Sequence, residues 1–240
     1  MKIETEITHI QNGEEFIRGV SLLSMIENMS FSKAIFFLIK GTEPNEEELK
    51  TFNALLVAAI DHSPGTASAQ TARITASAKN SVHVSLATGI LTMGERHGGA
   101  IENAAKFFVD CEGKNILEEV TKYKDVNKYL PGFGHAALEV DLRSKKLFEI
   151  AKQYNVYGTY SEIAENVHVE LNNISSKKLP LNIDGAMAAI LLDLGFPVDS
   201  MKAIFIIARM PGLSMQVIEE QRRDIGLRRL SNEDIIYIGK

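Results

Sequence analysis

Polar and apolar positions alternate only at the start of the chain. Ile3, Ile7 and Ile10 are set among Glu4, Thr5, Glu6 and Thr8, and Asn12-Gly13 follows. That pattern predicts a short strand or hairpin arm closed by a turn, because Asn-Gly accepts the positive φ values that a two-residue hairpin demands. The period then becomes helical. Ser30 is placed to cap a helix over 31–40, and Gly41 to end it. Asn45 followed by Glu46, Glu47 and Glu48 starts another, with acidic side chains at the positive end of the helix dipole. Phe52, Leu55, Leu56, Ala59 and Ile60 keep one face of it apolar.

Residues 66–79 are rich in Ala, Ser and Thr, which lets helices approach closely, so a buried helix is expected there. Asn80 is placed to cap the next, over 82–93. Further helices are predicted over 101–111, 115–127, 143–154, 161–174, 183–194, 200–209 and 213–224, with Pro197 and Pro211 punctuating the last three. Ile235-Ile236-Tyr237-Ile238 reads as a short terminal strand. No internal repeat, low-complexity tract or flexible linker is evident. The fold class is therefore all-α with a short N-terminal β element.

Composition narrows the class of function. The chain has 240 residues, of which 45% are hydrophobic and 24% charged, as in a soluble globular protein of one large or two modest domains. A net charge of -5 argues against a nucleic-acid partner. The arginines are nevertheless concentrated at the C-terminal end, as Arg209, Arg222, Arg223, Arg228 and Arg229. They suit either a local anion site or a solvated face paired with Glu219, Glu220 and Asp224. Cys111 is the single cysteine and follows an apolar run, which points to a buried structural thiol and excludes an internal disulfide. Lys2, Glu4 and Glu6 interrupt any N-terminal signal, and the longest apolar runs, such as 54–60, are too short to span a bilayer. A cytoplasmic enzyme with no membrane partner is the simplest expectation.

Three residues carry the candidate chemistry. His97 lies in Gly94-Glu95-Arg96-His97-Gly98-Gly99, His135 in Pro131-Gly132-Phe133-Gly134-His135, and Asp184 in Asn182-Ile183-Asp184-Gly185. Two imidazoles and a carboxylate, each beside glycine, are what proton transfer at a carbon next to a carbonyl needs. Asp184 could equally cap the helix that begins at Gly185. His62, at the end of an apolar helix, either faces a ligand or meets the helix dipole. A zinc site from His62, His97 and His135 lacks any short ligand pair, so no metal is predicted.

Together these segments resemble the citrate synthase superfamily, over nearly the whole chain. Phe16-Ile17-Arg18-Gly19-Val20 and Phe31-Ser32-Lys33-Ala34 are similar to its "YRG" and "SFEEV" elements, and 41–49 to "G-x-L-P-T-x-x-E-L". Asp61-His62 matches "A-D-H", 94–100 matches "G-P-x-H-G-G-A", 132–135 matches "G-x-G-H" and 182–184 matches "N-V-D", in the family's order. Within the superfamily the likeness is strongest to citryl-CoA lyase and to the C-terminal lyase module of ATP-citrate lyase, through 61–69, 86–96 and 233–237.

The resemblance implies a two-domain helical homodimer or dimer-based oligomer. A large domain would comprise 1–97 and 191–240, and a small, CoA-side domain 98–190, with the site in the cleft between them. The implied reaction is cleavage of citryl-CoA to acetyl-CoA and oxaloacetate by His97, His135 and Asp184. His62, Arg143, Arg209 and Arg229 would hold the substrate, Arg229 reaching across the dimer. Gly132, Phe133 and Gly134 would contact coenzyme A, which enters as part of the substrate; no permanently bound cofactor is implied. A citryl-CoA synthetase is a conceivable partner. The alternatives are a citrate or 2-methylcitrate synthase, and a non-catalytic CoA-binding paralogue. The chain departs from the pattern at Ala136 and Glu139, where relatives carry Arg, and Arg143 stands one residue nearer His135 than in synthases. His97 replaces a Phe usual in the ATP-citrate lyase module and is shared with synthases.

Overall fold

The computed structural model describes residues 2–95, 97–126, 129–134 and 139–239. Three short strands lead into a helical chain, β1 (Thr8–Gln11), β2 (Glu14–Ile17) and β3 (Val20–Ser21). The helices are α1 (Leu22–Asn28), α2 (Phe31–Lys40), α3 (Glu46–Ala58), α4 (Ala67–Ser77), α5 (Val82–Leu91), α6 (Ala100–Cys111), α7 (Ile116–Val126), α8 (Leu142–Gln153), α9 (Thr159–Ile174), α10 (Ile183–Asp193) and α11 (Met201–Arg223). Two compact units result: residues 1–58 with 100–204, and residues 59–99 with 205–240. Residues 1–58 join the later helices because α3 packs on α8 and α10.

In the first unit the sheet has the antiparallel order β1-β2-β3. Gln11 faces Glu14 across Asn12 and Gly13, whose φ values of 53° and 80° confirm the expected hairpin turn. Arg18 (φ 47°) and Gly19 (φ 82°) repeat the device before β3, so the arm has a third strand that the alternation did not predict. Helix α1, capped by Ser21, was likewise not predicted. The Ser30 hydroxyl accepts the Lys33 N–H at 3.3 Å, and Gly41 closes α2 in the left-handed region, both as expected. Asn45 and Glu48 form a reciprocal capping pair, each side chain accepting the other's backbone N–H at 2.9 Å.

Helix α10 is the centre of this unit. It is buried on nearly every side, from Gly185 through Leu192, and α3, α6, α8 and α9 all pack on it. This explains why its sequence lacks a polar face. A second cluster is aromatic: Phe36 meets Phe52 edge-on at 5.3 Å and Phe196 at 4.9 Å, while Phe52 and Phe196 stack at 5.2 Å. Cys111, at the end of α6, is buried as expected, and burial pushes its thiol up to about 12.

In the second unit α4 packs along α5. The cap of α5 is Ser81, not Asn80, whose amide instead donates to the Thr75 carbonyl at 3.0 Å. Pro211 does not divide the C-terminal segment: 201–223 is one helix with the proline inside it. A proline removes one rung of the ladder. Here Gly212 N–H turns out to the Ile60 carbonyl at 3.1 Å, and Arg209 Nε donates to the Ala59 carbonyl at 2.7 Å, so neighbouring backbone ties the interrupted turn down. By length and composition alone the stretch Val198–Arg223 could cross a membrane, and Met201, Ile204, Phe205, Ala208, Leu213 and Val217 along it are buried within the protein. The expected terminal strand is not formed. Residues 235–238 are exposed and have no strand beside them among the described residues, and a strand without a neighbour leaves its ladder groups unpaired.

Phe52 is fully buried between two rings. Phe52→Ala is expected to cost about 3–5 kcal/mol of unfolding free energy by urea titration, whereas Phe31→Ala, at an exposed position, should leave the midpoint within error.

Candidate active site

Asp184 is placed by the start of α10. Asn182, not Asp184, is the cap: its Oδ1 accepts the N–H groups of Asp184 at 3.0 Å and Gly185 at 3.2 Å. The half-buried Asp184 carboxyl therefore stands in the first turn of α10. The loop 130–134 is bound to the same point. Gly132 O accepts Asn182 N–H at 3.0 Å, Gly134 O accepts the Asn182 side chain at 2.9 Å, and Gly134 N–H donates to Pro180 O at 2.7 Å. A Cβ on Gly185 would lie 2.5 Å from Gly132 O, and one on Gly132 would lie 2.8 Å from Gly185 Cα, so only glycine fits at either position. The loop Gly132-Phe133-Gly134 and Asp184 are thus brought together. His135, next in the chain, lies outside the described residues.

Two further residues in this unit were not picked out from the sequence. Asp141 is buried and holds Arg143 in a fork, accepting Nε at 3.0 Å and Nη2 at 2.8 Å. It also accepts Ile183 N–H at 3.1 Å, which ties Arg143 to the turn that carries Asp184. Burial pushes the Asp141 carboxyl up, but the Arg143 hydrogen bonds and charge, with the backbone N–H groups of Arg143 and Ile183, outweigh it and hold it below the usual carboxylate range. Its sequence signal was an Asp in N-cap position before α8. Tyr129 is the other: burial, and then the Asp184 charge, push its phenol up.

The second unit carries His62, His97, Arg209 and Arg229. His97 sits in a tight loop, where its N–H and that of Gly99 both reach the Gly94 carbonyl at 3.0 Å. Its Nε2 lies 2.7 Å from Ser68 Oγ and accepts Ser68 N–H at 3.4 Å. With Nε2 accepting, the neutral ring carries its proton on Nδ1 and presents that N–H as a donor. Burial lowers the His97 pKa from 6.5, and the Arg209 charge lowers it further. Arg209 is buried, lies over the Phe205 ring at 5.0 Å, and belongs with His97. His62 is half-buried in the turn after Ile60; Arg229 is exposed in the segment beyond α11. Ser68 is the residue missed here: nothing in a 29-residue separation marks a serine in a small-residue helix as the partner of His97.

The family model described as citrate synthase, C-terminal domain, matches residues 42–230. A curated relative, ATP-citrate synthase beta chain protein 1 of Oryza sativa subsp. japonica, is 32% identical over 74% of this chain and 32% of its own length. Citrate synthase 2 of Bacillus subtilis (strain 168) is 27% identical over 85% of this chain and 55% of its own. The chain therefore spans about a third to a half of these two relatives. Among solved structures, the citryl-CoA lyase from Hydrogenobacter thermophilus superimposes with a TM-score of 0.93 and 39% identity, covering 99% of this chain and 95% of that one.

A histidine that binds its proton less readily folded than unfolded makes stability rise with pH. His97 should therefore stay neutral through pH 7, and its contribution should be lost as pH falls below about 6.5. A ring-proton NMR titration should place its midpoint under 6.5, with Arg209→Met moving that midpoint upward. A midpoint above 6.5 would contradict the assignment.

Proposed function

This chain belongs to the citrate synthase family, and from that membership we propose that it is a carbon–carbon lyase that cleaves citryl-CoA to acetyl-CoA and oxaloacetate. The observation that carries the reading is the end-to-end likeness to a citryl-CoA lyase, against a match to only 55% of the Bacillus synthase. Coenzyme A is read as a substrate moiety that the loop Gly132-Phe133-Gly134 contacts.

In this reading His135 takes the hydroxyl proton of the citryl group. The oxygen's electron pair forms the ketone of oxaloacetate as the adjacent carbon–carbon bond breaks. The electrons of that bond pass to the thioester carbon fragment, giving the enolate of acetyl-CoA. His97, neutral and donating from Nδ1, hydrogen-bonds the developing oxyanion. A neutral donor suits that oxygen, because an imidazolium would give up its proton and leave a free enol. Asp184 enters protonated and delivers its proton to the carbon, which closes the proton balance. Arg143, Arg209 and Arg229 hold carboxylates, each charged hydrogen bond contributing about 1.5–3 kcal/mol, and His62 binds a substrate carboxylate or hydroxyl. The Asp141 fork supports that role for Arg143 by fixing its guanidinium.

We extend the reading to a homodimer in which Arg229 serves the partner's site, to the large and small domain limits implied by the resemblance, and to a separate synthetase that supplies citryl-CoA. The second reading, a citrate synthase, is favoured by one residue, His97. It adds hydrolysis of the thioester, so the product distinguishes the two.

Purified protein given citryl-CoA should release oxaloacetate, read by coupled reduction to malate, without free CoA thiol. Free thiol formed from acetyl-CoA and oxaloacetate would favour the synthase. Asp184→Ala should lower turnover by about 10²–10⁴-fold with an unchanged circular dichroism spectrum. Near-normal turnover in that variant would remove Asp184 from the mechanism.

A further inference from the structure

The second unit contains a buried ionic network that the proposed chemistry does not use. Glu220, on α11, is 2% exposed. Its Oε2 accepts Arg73 Nε from α4 at 2.9 Å. The same carboxylate takes both arms of Arg228, Nε at 2.6 Å and Nη2 at 2.8 Å. The Arg228 backbone N–H is held as well, by Ser77 Oγ at 3.0 Å. On the other side Arg73 Nη1 donates to Gln216 Oε1 at 2.5 Å, and Gln216 Nε2 donates to Asp61 Oδ2 at 3.2 Å. One chain of charge-assisted bonds therefore runs Arg228–Glu220–Arg73–Gln216–Asp61.

The ends of that chain are informative. Asp61 precedes His62, and Arg228 precedes Arg229, and both followers are among the residues of this unit read as substrate ligands. Arg73, Arg228 and Arg229 also line one cavity of about 460 Å³. Burying a carboxylate between two guanidiniums is costly, and a hydrophobic cluster of equal volume serves stability as well or better. What such an ionic joint supplies is fixed geometry, since a fork-to-fork contact sets both position and angle. Beyond α11 the backbone has no regular secondary structure through residue 231, and Ile225, Leu227 and Leu230 are exposed, so the segment is held by this joint together with the Lys79–Asp224 ion pair at its start.

We propose that Glu220 and Arg73 are positioning residues that clamp Arg228 and thereby aim Arg229 at the four-carbon dicarboxylate half of the substrate. The clamp rests on the substrate-binding role read for Arg229; the immobilisation of 224–230 does not. Arg228→Ala is the first variant to make, because it leaves the Arg73–Glu220 pair intact and the fold supported. Hydrogen exchange should then quicken at the residue 228 amide, which Ser77 Oγ holds in the wild type, while α4 and α5 keep their protection. Oxaloacetate should bind about tenfold more weakly, the size of one misaligned charged hydrogen bond, whereas the affinity for coenzyme A stays the same. Arg228→Lys should recover part of the loss. Glu220→Gln should reproduce the pattern with a larger drop in melting temperature.

Unchanged exchange in Arg228→Ala would overturn the clamp. So would unchanged oxaloacetate binding in that variant while Arg229→Ala weakens it. A parallel loss of coenzyme A affinity would also overturn it, as a general structural effect. If the wild type bound no oxaloacetate, the functional reading and the aiming of Arg229 would fall together, and the exchange data alone would still decide whether Arg228 immobilises the segment.

Discussion

Two backbones touch where Gly132 O approaches Gly185, at a distance that leaves no room for a side chain. Much of the first unit follows from this contact. It lets the loop 130–134 use the cap of α10 as its own anchor, with Asn182 giving its amide to one strand of backbone and its carbonyl to the other. Helix α10 cannot shift to accommodate the loop, because α3, α6, α8 and α9 enclose it. The orientation of Asp184 is thus inherited from a fully buried helix, and a proton donor that must meet one carbon gains from such rigidity.

The second unit solves the same problem with charge. His97 is neutral because it is buried and beside a guanidinium, and Ser68 fixes which nitrogen bears the proton. Arg209 reaches its place through a carbonyl at the end of the preceding segment, and α11 continues through Pro211 because that same segment, 59–60, receives the bonds the proline turn releases. Arginine suits these tasks because its planar, permanently charged fork fixes both position and angle.

Local chemistry was legible in the sequence and long-range pairing was not. Asn12-Gly13, Ser30 with Gly41, and Asn45 with Glu48 each act within a few residues, and each formed as read. The family was legible too, because its motifs keep their order along the chain, and the mainly helical fold it implies is the one observed. The misreadings share a cause. Pro211 was taken as a break because its compensation comes from Ile60, about 150 residues away. The terminal Ile-rich run was taken as a strand because β propensity says nothing about whether a neighbour exists. Ser68, Asp141 and Arg73 were passed over because each gains its meaning from a partner elsewhere in the fold. The C-terminal arginines allowed two readings, and the ion-pair reading holds for Arg223 with Glu219 and Arg228 with Glu220.

Cys111 has a practical consequence. Its sulfur is buried at the end of α6 and keeps its proton at any physiological pH. A maleimide or an aromatic disulfide reagent can modify it only after that helix lifts away from its neighbours. The rate of labelling is therefore an intrinsic clock for opening of the first unit, available in the native polypeptide without engineering a reporter.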